Sequence, residues 1–130
     1  MPLLDQGQAV SFVYTTDVER SVAWYRDVLG ATVRERDDYG ASLAGAGALL
    51  RITMLPAVTP SEHPVAGWEV ASVAAWADAL EKHGVRFTVY DGMGQDERGI
   101  WTGPDGSRLA WFADPDGNML MISEAAAAGA

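Results

Sequence analysis

Hydrophobic positions in the first half of the chain change from a period of two to a period of three to four, and then back. Residues 9–15 alternate as in a strand, and residues 18–29 carry the apolar stripe of a buried helix face. Thr16 and Glu19 predict a capping box at the start of this helix, with Asp17 as the alternative cap. Further strands are predicted at residues 32–36, 39–43 and 49–54.

The same order of elements restarts after a proline-rich stretch. Residues 55–64 contain three prolines, which exclude regular structure and indicate a linker. Aligning Val10 with Val65 also aligns Asp17 with Ser72, a second helix cap. The pattern beyond the linker predicts strands at 65–71, 86–90, 100–102, 108–113 and 119–123, with a helix between Ser72 and Gly84. We therefore predict one domain of two βαβββ modules, residues 9–54 and 65–124, joined by linker 55–64 and followed by a disordered tail at 125–130.

Composition and charge narrow the classes of function. The chain has 130 residues, of which 48% are hydrophobic, and a net charge of −9, which would repel a nucleic-acid backbone. No apolar run reaches the roughly 20 residues that span a bilayer, so no membrane partner is expected. The absence of cysteine and of signal-peptide features at the N-terminus fits a cytoplasmic location.

Each predicted module has one helix, which can cover only one face of its sheet. The other face is expected to carry Phe12 and Tyr14 in the first module and Trp111 and Met121 in the second. Large apolar side chains of this kind need a covering partner, which is either another unit or a ligand.

Two segments resemble the vicinal oxygen chelate superfamily, which contains glyoxalase I, extradiol dioxygenases and bleomycin resistance proteins. Residues 17–30 read DVERSVAWYRDVLG, and residues 111–118 read WFADPDGN. The resemblance implies an α+β fold in which the two modules form a curved, cup-like mixed sheet around a ligand cavity. It also implies a homodimer, because chains of this length in the superfamily commonly pair.

Enzymes of the superfamily place His, Gln or Glu ligands for a metal on the first and last strands of each module. Carried onto this chain, the resemblance assigns those positions to Val10, Arg51, Val65 and Met121. Valine has no donor atom, arginine stays protonated, and a thioether suits only soft ions. We therefore expect no metal and no cofactor.

In place of a metal, the cup is expected to hold a small hydrophobic or aromatic molecule. Gly67 would leave room for a ring, and the apolar and aromatic character of the surface favours a flat ligand. The structural alternative is that these side chains only fill the interior. The predicted ligand-binding residues are Phe12, Tyr14, Arg51, Gly67, Glu69, Trp101, Leu109, Trp111 and Met121.

Arg51 needs a partner if it lies in such a cup, because an unpaired buried charge is costly. Glu69 would be a structural partner, whereas an anionic or carbonyl group of a ligand would be a functional one. The sequence leaves both open.

These residues favour a metal-independent small-molecule binding protein that sequesters a drug or metabolite. One alternative is a metal-dependent lyase, isomerase or dioxygenase with His63 or Glu69 among its ligands. Another is a metal-free enzyme that uses Glu69 or Tyr14 as acid or base.

Overall fold

The computed structural model describes residues 1–127. Within them, a short 3-10 helix at Leu3–Gln6 precedes two α-helices, α1 (Val18–Asp27) and α2 (Val73–Glu81). The strands are β1 (Val10–Thr15), β2 (Thr32–Asp37), β3 (Gly40–Gly45), β4 (Ala48–Met54), β5 (Ala66–Glu69), β6 (Trp101–Thr102), β7 (Arg108–Ala113) and β8 (Met119–Glu124). None of the helices in this part of the chain is long and apolar enough to cross a bilayer.

The strands form two open four-stranded sheets with the same topology. Their orders are β1-β4-β3-β2 and β5-β8-β7-β6. In each sheet the first and last strands of the module pair in parallel and the other neighbours are antiparallel. The α+β class and the two βαβββ modules predicted from the sequence are confirmed.

The chain divides into two compact units that differ slightly from the predicted modules. The first contains Met1–Ser61 together with Asp114–Asn118, and the second contains Glu62–Ala113 and the chain from Met119 onward. The turn between β7 and β8 therefore belongs to the first unit, although its position in the sequence assigns it to the second module. Residues 125–127 have no regular structure, and the rest of the predicted tail lies outside the described residues.

The strand predicted at residues 86–90 is wrong. Thr88 N–H donates to the Trp111 carbonyl at 2.6 Å, but Tyr90 N–H donates to the side chain of Gln95. The short β6 pairs with the start of β7, where Trp101 lies opposite Leu109 and Thr102 opposite Arg108. The Gln95 side chain thus accepts the hydrogen bond from Tyr90 N–H that a neighbouring strand would accept in a sheet. Residues 86–90 are therefore not a strand.

Both helices begin at a side-chain cap. Asp17 caps α1 by accepting from Arg20 N–H at 3.1 Å, and Ser72 caps α2 by accepting from Ala75 N–H at 3.0 Å. The capping box predicted for Thr16 is wrong and the alternative, Asp17, is confirmed. Asp17 sits one position closer to the first helical turn, where its carboxylate reaches the free N–H.

Each sheet buries one face beneath its own helix. Val13, Leu43 and Ile52 are fully buried in the first unit, where α1 contributes Tyr25. In the second unit the stacked rings of Trp68 and Trp76 lie 6.1 Å apart, and Phe112, Leu120 and Ile122 are fully buried. Strand alternation then directs the remaining side chains to an open face on each sheet.

Candidate functional site

The open face of the first sheet carries the three site residues predicted in that module. Phe12 and Tyr14 are 52% and 40% exposed, and the β1–β4 register sets Phe12 beside Arg51. Arg51 Nη2 donates to Asp37 Oδ1 at 2.8 Å, and this guanidinium lowers the pKa of the Asp37 carboxyl to about 2. Asp37 is therefore a partner of Arg51 that the sequence reasoning did not consider.

The open face of the second sheet brings together most of the other predicted residues. Met121 pairs with Gly67 on one side and with Trp111 on the other. Leu109 pairs with Trp101, which lies on the same face. This agreement follows from period-two alternation along β5, β7 and β8.

Gly67 has a different role from the predicted one of leaving room for a ligand ring. A Cβ atom at this position would lie 2.7 Å from the Met121 carbonyl oxygen, which is too close for any side chain. Glycine is thus required here by the close approach of two backbones. A shallow depression of about 410 Å³ follows β5 and is lined by residues 64–69 with Met121 and Ser123, so it includes Glu69.

A larger cavity in the second unit, which we call the Trp111 cavity, has a volume of about 620 Å³. The rings of Trp111 and Tyr90 form its aromatic wall, with centroids 5.7 Å apart and planes at 89°. The lining residues are Glu62, His63, Pro64, Tyr90, Met93, Trp111 and Met119. Of the residues predicted to bind ligand, Trp111 lines this cavity.

The sequence reasoning missed most of this lining. Met119 could have been found, because it lies two positions before Met121 on β8 and so shares its face. Tyr90 and Met93 could not have been found by periodicity, since no strand or helix contains them. Glu62 and Pro64 lie in the segment assigned only as a linker.

Gln95 positions the loop that supplies Tyr90 and Met93. Its side-chain oxygen accepts from Tyr90 N–H at 2.7 Å, and its amide nitrogen donates to the carbonyls of Thr88 at 2.9 Å and Gly99 at 2.8 Å. One side chain thus satisfies three backbone groups of a loop that has no regular structure.

Arg98 fastens the same loop to α2. Its guanidinium donates to Asp78 at 2.8 Å and also contacts Glu81 at 3.1 Å. The loop that forms one side of the Trp111 cavity is therefore held internally by Gln95 and attached to α2 by Arg98.

Gln95→Glu is expected to loosen this loop, because a carboxylate keeps the acceptor for Tyr90 N–H but removes both N–H donors. The loss should lower the free energy of unfolding by about 1–3 kcal/mol and speed amide exchange over residues 88–99. Urea denaturation and hydrogen exchange measure the two effects. Gln6→Glu, the same change at an exposed position, is the control; equal exchange in the two variants would contradict the assignment.

The residues at the family's metal positions do not fit a metal. Val10 and Val65 offer no donor, the Arg51 guanidinium is paired with Asp37, and Met121 offers only a thioether. Within residues 1–127, no group of three or more His, Cys, Asp or Glu side chains could hold a metal ion. No step of a mechanism is therefore assigned to a metal at these positions.

Comparison with known proteins places this geometry in a family. The model described as the Glyoxalase/Bleomycin resistance protein/Dioxygenase superfamily matches residues 7–122. No match is found among curated protein sequences.

Solved structures share the fold along nearly the whole chain. The lactoylglutathione lyase of Agrobacterium tumefaciens has 16% identity and a TM-score of 0.68, covering 95% of this chain and 97% of that one. FosX, a fosfomycin resistance protein of Listeria monocytogenes, has 13% identity and a TM-score of 0.71, covering 92% and 93%. A glyoxalase/bleomycin resistance protein/dioxygenase from Alicyclobacillus acidocaldarius has 14% identity and a TM-score of 0.71, covering 91% and 90%. With a family model that matches most of its length, the chain belongs to the Glyoxalase/Bleomycin resistance protein/Dioxygenase superfamily.

Proposed function

We propose that this protein binds a small apolar or aromatic molecule without using a metal, and that it sequesters this molecule. The observation that carries the proposal is the Trp111 cavity, whose wall combines two aromatic rings with two methionines. Its volume of about 620 Å³ lies within the usual range for sites that enclose drug-sized ligands.

The wall offers a ligand both contact area and adaptability. Trp111 and Tyr90 are each partly exposed and stand at right angles, so a flat molecule can lie on one ring face with its edge against the other. Met93 and Met119 have flexible, polarisable side chains that adjust to the shape of a bound molecule.

The residues at the family's metal positions support the metal-independent part of the proposal. A mechanism in the superfamily that polarises a ligand oxygen needs oxygen or nitrogen donors for its ion, and Val10, Val65 and Met121 do not supply them. Related folds include a lyase and a fosfomycin resistance protein, but identities below 20% convey the fold and not the chemistry. We also propose that the protein is a cytoplasmic homodimer.

The proposal is tested by titrating the protein with Nile red, a neutral aromatic dye. We expect saturable binding that is unchanged by EDTA, and a loss of affinity of about tenfold in Trp111→Ala, which corresponds to about 1.4 kcal/mol. Tyr39→Ala is the control, because Tyr39 is an aromatic residue that is 74% exposed and lies in the other unit.

Circular dichroism of Trp111→Ala separates lost binding from lost folding. Absence of saturable binding by the unmodified protein would overturn the proposed function. Abolition of binding by EDTA would overturn its metal independence, and equal losses in Trp111→Ala and Tyr39→Ala would show that the dye does not occupy the Trp111 cavity.

A further inference from the structure

The Trp111 cavity is asymmetric in charge. Its lining includes one carboxylate, that of Glu62, and contains neither lysine nor arginine. Glu62 therefore contributes a negative charge at the side of the cavity formed by residues 62–64.

The basic residues of the second unit do not supply a counter-charge. Arg98 is paired with Asp78 and Glu81 on α2. Arg108 lies on β7 three positions before Trp111, so strand alternation directs it to the opposite face of the sheet. Neither Lys82 nor Arg86 lines the cavity.

The aromatic wall favours a positively charged ligand, as Glu62 does. The faces of Trp111 and Tyr90 carry the negative part of each ring's quadrupole, and a cation within about 6 Å of a ring centroid is attracted to it. Because the two planes meet at 89°, a cation in the corner between them can approach both faces. An anion in the same place would be repelled by both rings and by Glu62.

The net charge of the whole chain acts in the same direction over longer distances. With 9 basic and 18 acidic residues, the surface potential attracts cations and repels anions. This long-range attraction is sensitive to salt, and Glu62, which is itself exposed, adds a short-range attraction for a cation that lies beside it.

We propose that the ligand of the Trp111 cavity is an aromatic molecule that carries a positive charge, such as an aromatic amine or a quaternary ammonium, with the charge directed to Glu62 and the ring to Trp111. The inference rests on the proposed function and narrows its ligand class. Glu62 selects charge, while Trp111 and Tyr90 provide the contact area.

The test uses three probes of similar size that compete with Nile red at pH 8 and in 150 mM salt. These are 1-methylquinolinium, a cation, 1-methylnaphthalene, its neutral counterpart, and 1-naphthoate, an anion. We expect 1-methylquinolinium to bind about tenfold more tightly than 1-naphthoate. Glu62→Gln should weaken binding of the cation by about three- to fivefold, as expected for a partly solvated charge pair, and leave 1-methylnaphthalene within twofold.

Glu97→Gln is the matched control, because it makes the same change in net charge at an exposed residue that does not line the cavity. Equal losses in Glu62→Gln and Glu97→Gln would assign the preference to the long-range field and overturn the role of Glu62. Equal binding of cation and anion by the unmodified protein would overturn the ligand class. Either result, obtained with Nile red still bound, leaves the proposed function standing, whereas failure of Nile red to bind overturns that function itself.

Discussion

Asp114→Ala is expected to lower the free energy of unfolding by about 3–5 kcal/mol. The Asp114 carboxylate is 5% exposed and accepts from the Tyr25 hydroxyl at 2.7 Å and the Asn118 amide at 2.7 Å. It also accepts from the backbone N–H groups of Asp116 and Asn118, both at 2.9 Å. Alanine would leave these donors buried without an acceptor. Urea denaturation monitored by circular dichroism measures the change.

Two other variants distinguish the loss of the Asp114 hydrogen bonds from the effect of replacing any aspartate in a turn. Asp105→Ala removes an exposed aspartate from the similar turn Gly103–Gly106, where it accepts from Ser107, and should change stability by less than about 1 kcal/mol. Asp114→Asn keeps one acceptor oxygen but sets an amide against the Asn118 amide, so its loss should be intermediate. Similar losses in Asp114→Ala and Asp105→Ala would contradict the network.

The same carboxylate predicts a pH dependence with a defined sign. Burial raises the pKa of Asp114 in the folded protein, against the opposing effect of its hydrogen bonds. The folded state therefore holds this proton more tightly than the unfolded state, and the Asp114 contribution to stability falls as pH rises from the ordinary aspartate value toward the raised one. Asp114→Asn should lack this part of the pH profile.

Gly40→Ala is expected to destabilise the protein by at least about 3 kcal/mol. A Cβ atom at Gly40 would lie 1.8 Å from the carbonyl oxygen of Ile52 and 3.1 Å from the Cα of Thr53. Both atoms belong to the backbone of β4, which is paired on both sides by β1 and β3 and cannot withdraw. Denaturation with urea, or recovery of folded protein after refolding, reports the loss.

Gly47→Ala is the control for backbone conformation alone. Gly47 has φ of +73°, but a Cβ atom there would meet nothing within 4 Å. We expect a loss of about 1 kcal/mol from the left-handed conformation. Stability of Gly40→Ala within 1 kcal/mol of Gly47→Ala would show that β4 yields at this point.

The modules and their open faces could be predicted because they depend on local patterns. The alternation that places Phe12 and Tyr14 opposite Val13 is a property of any strand, and one helix can cover only one face of a four-stranded sheet. The confirmed caps at Asp17 and Ser72 are likewise decided within one turn of the chain.

The part of the Trp111 cavity wall that Tyr90 and Met93 supply could not be predicted, because these two residues lie in a loop that carries no periodic signal. Tyr90 is held by a hydrogen bond to Gln95, and Met93 N–H donates to the Tyr90 carbonyl. The pattern of a loop does not reveal which polar side chain makes such bonds. The role of Gly67 could not be predicted from the sequence either. The Met121 carbonyl oxygen lies close to Gly67 because β5 pairs with β8, and this pairing is not visible in the local sequence.

The turn Asp114–Asn118 links the two halves of the chain energetically. It is covalently part of the β7–β8 hairpin, yet its Asp114 accepts the Tyr25 hydroxyl and its Asn118 donates to the Tyr14 carbonyl in the first unit. Unfolding of the β7–β8 hairpin would therefore remove the acceptor of the Tyr25 hydroxyl and the donor to the Tyr14 carbonyl together. The first half of the chain therefore depends on a turn supplied by the second half to satisfy the Tyr25 hydroxyl and the Tyr14 carbonyl.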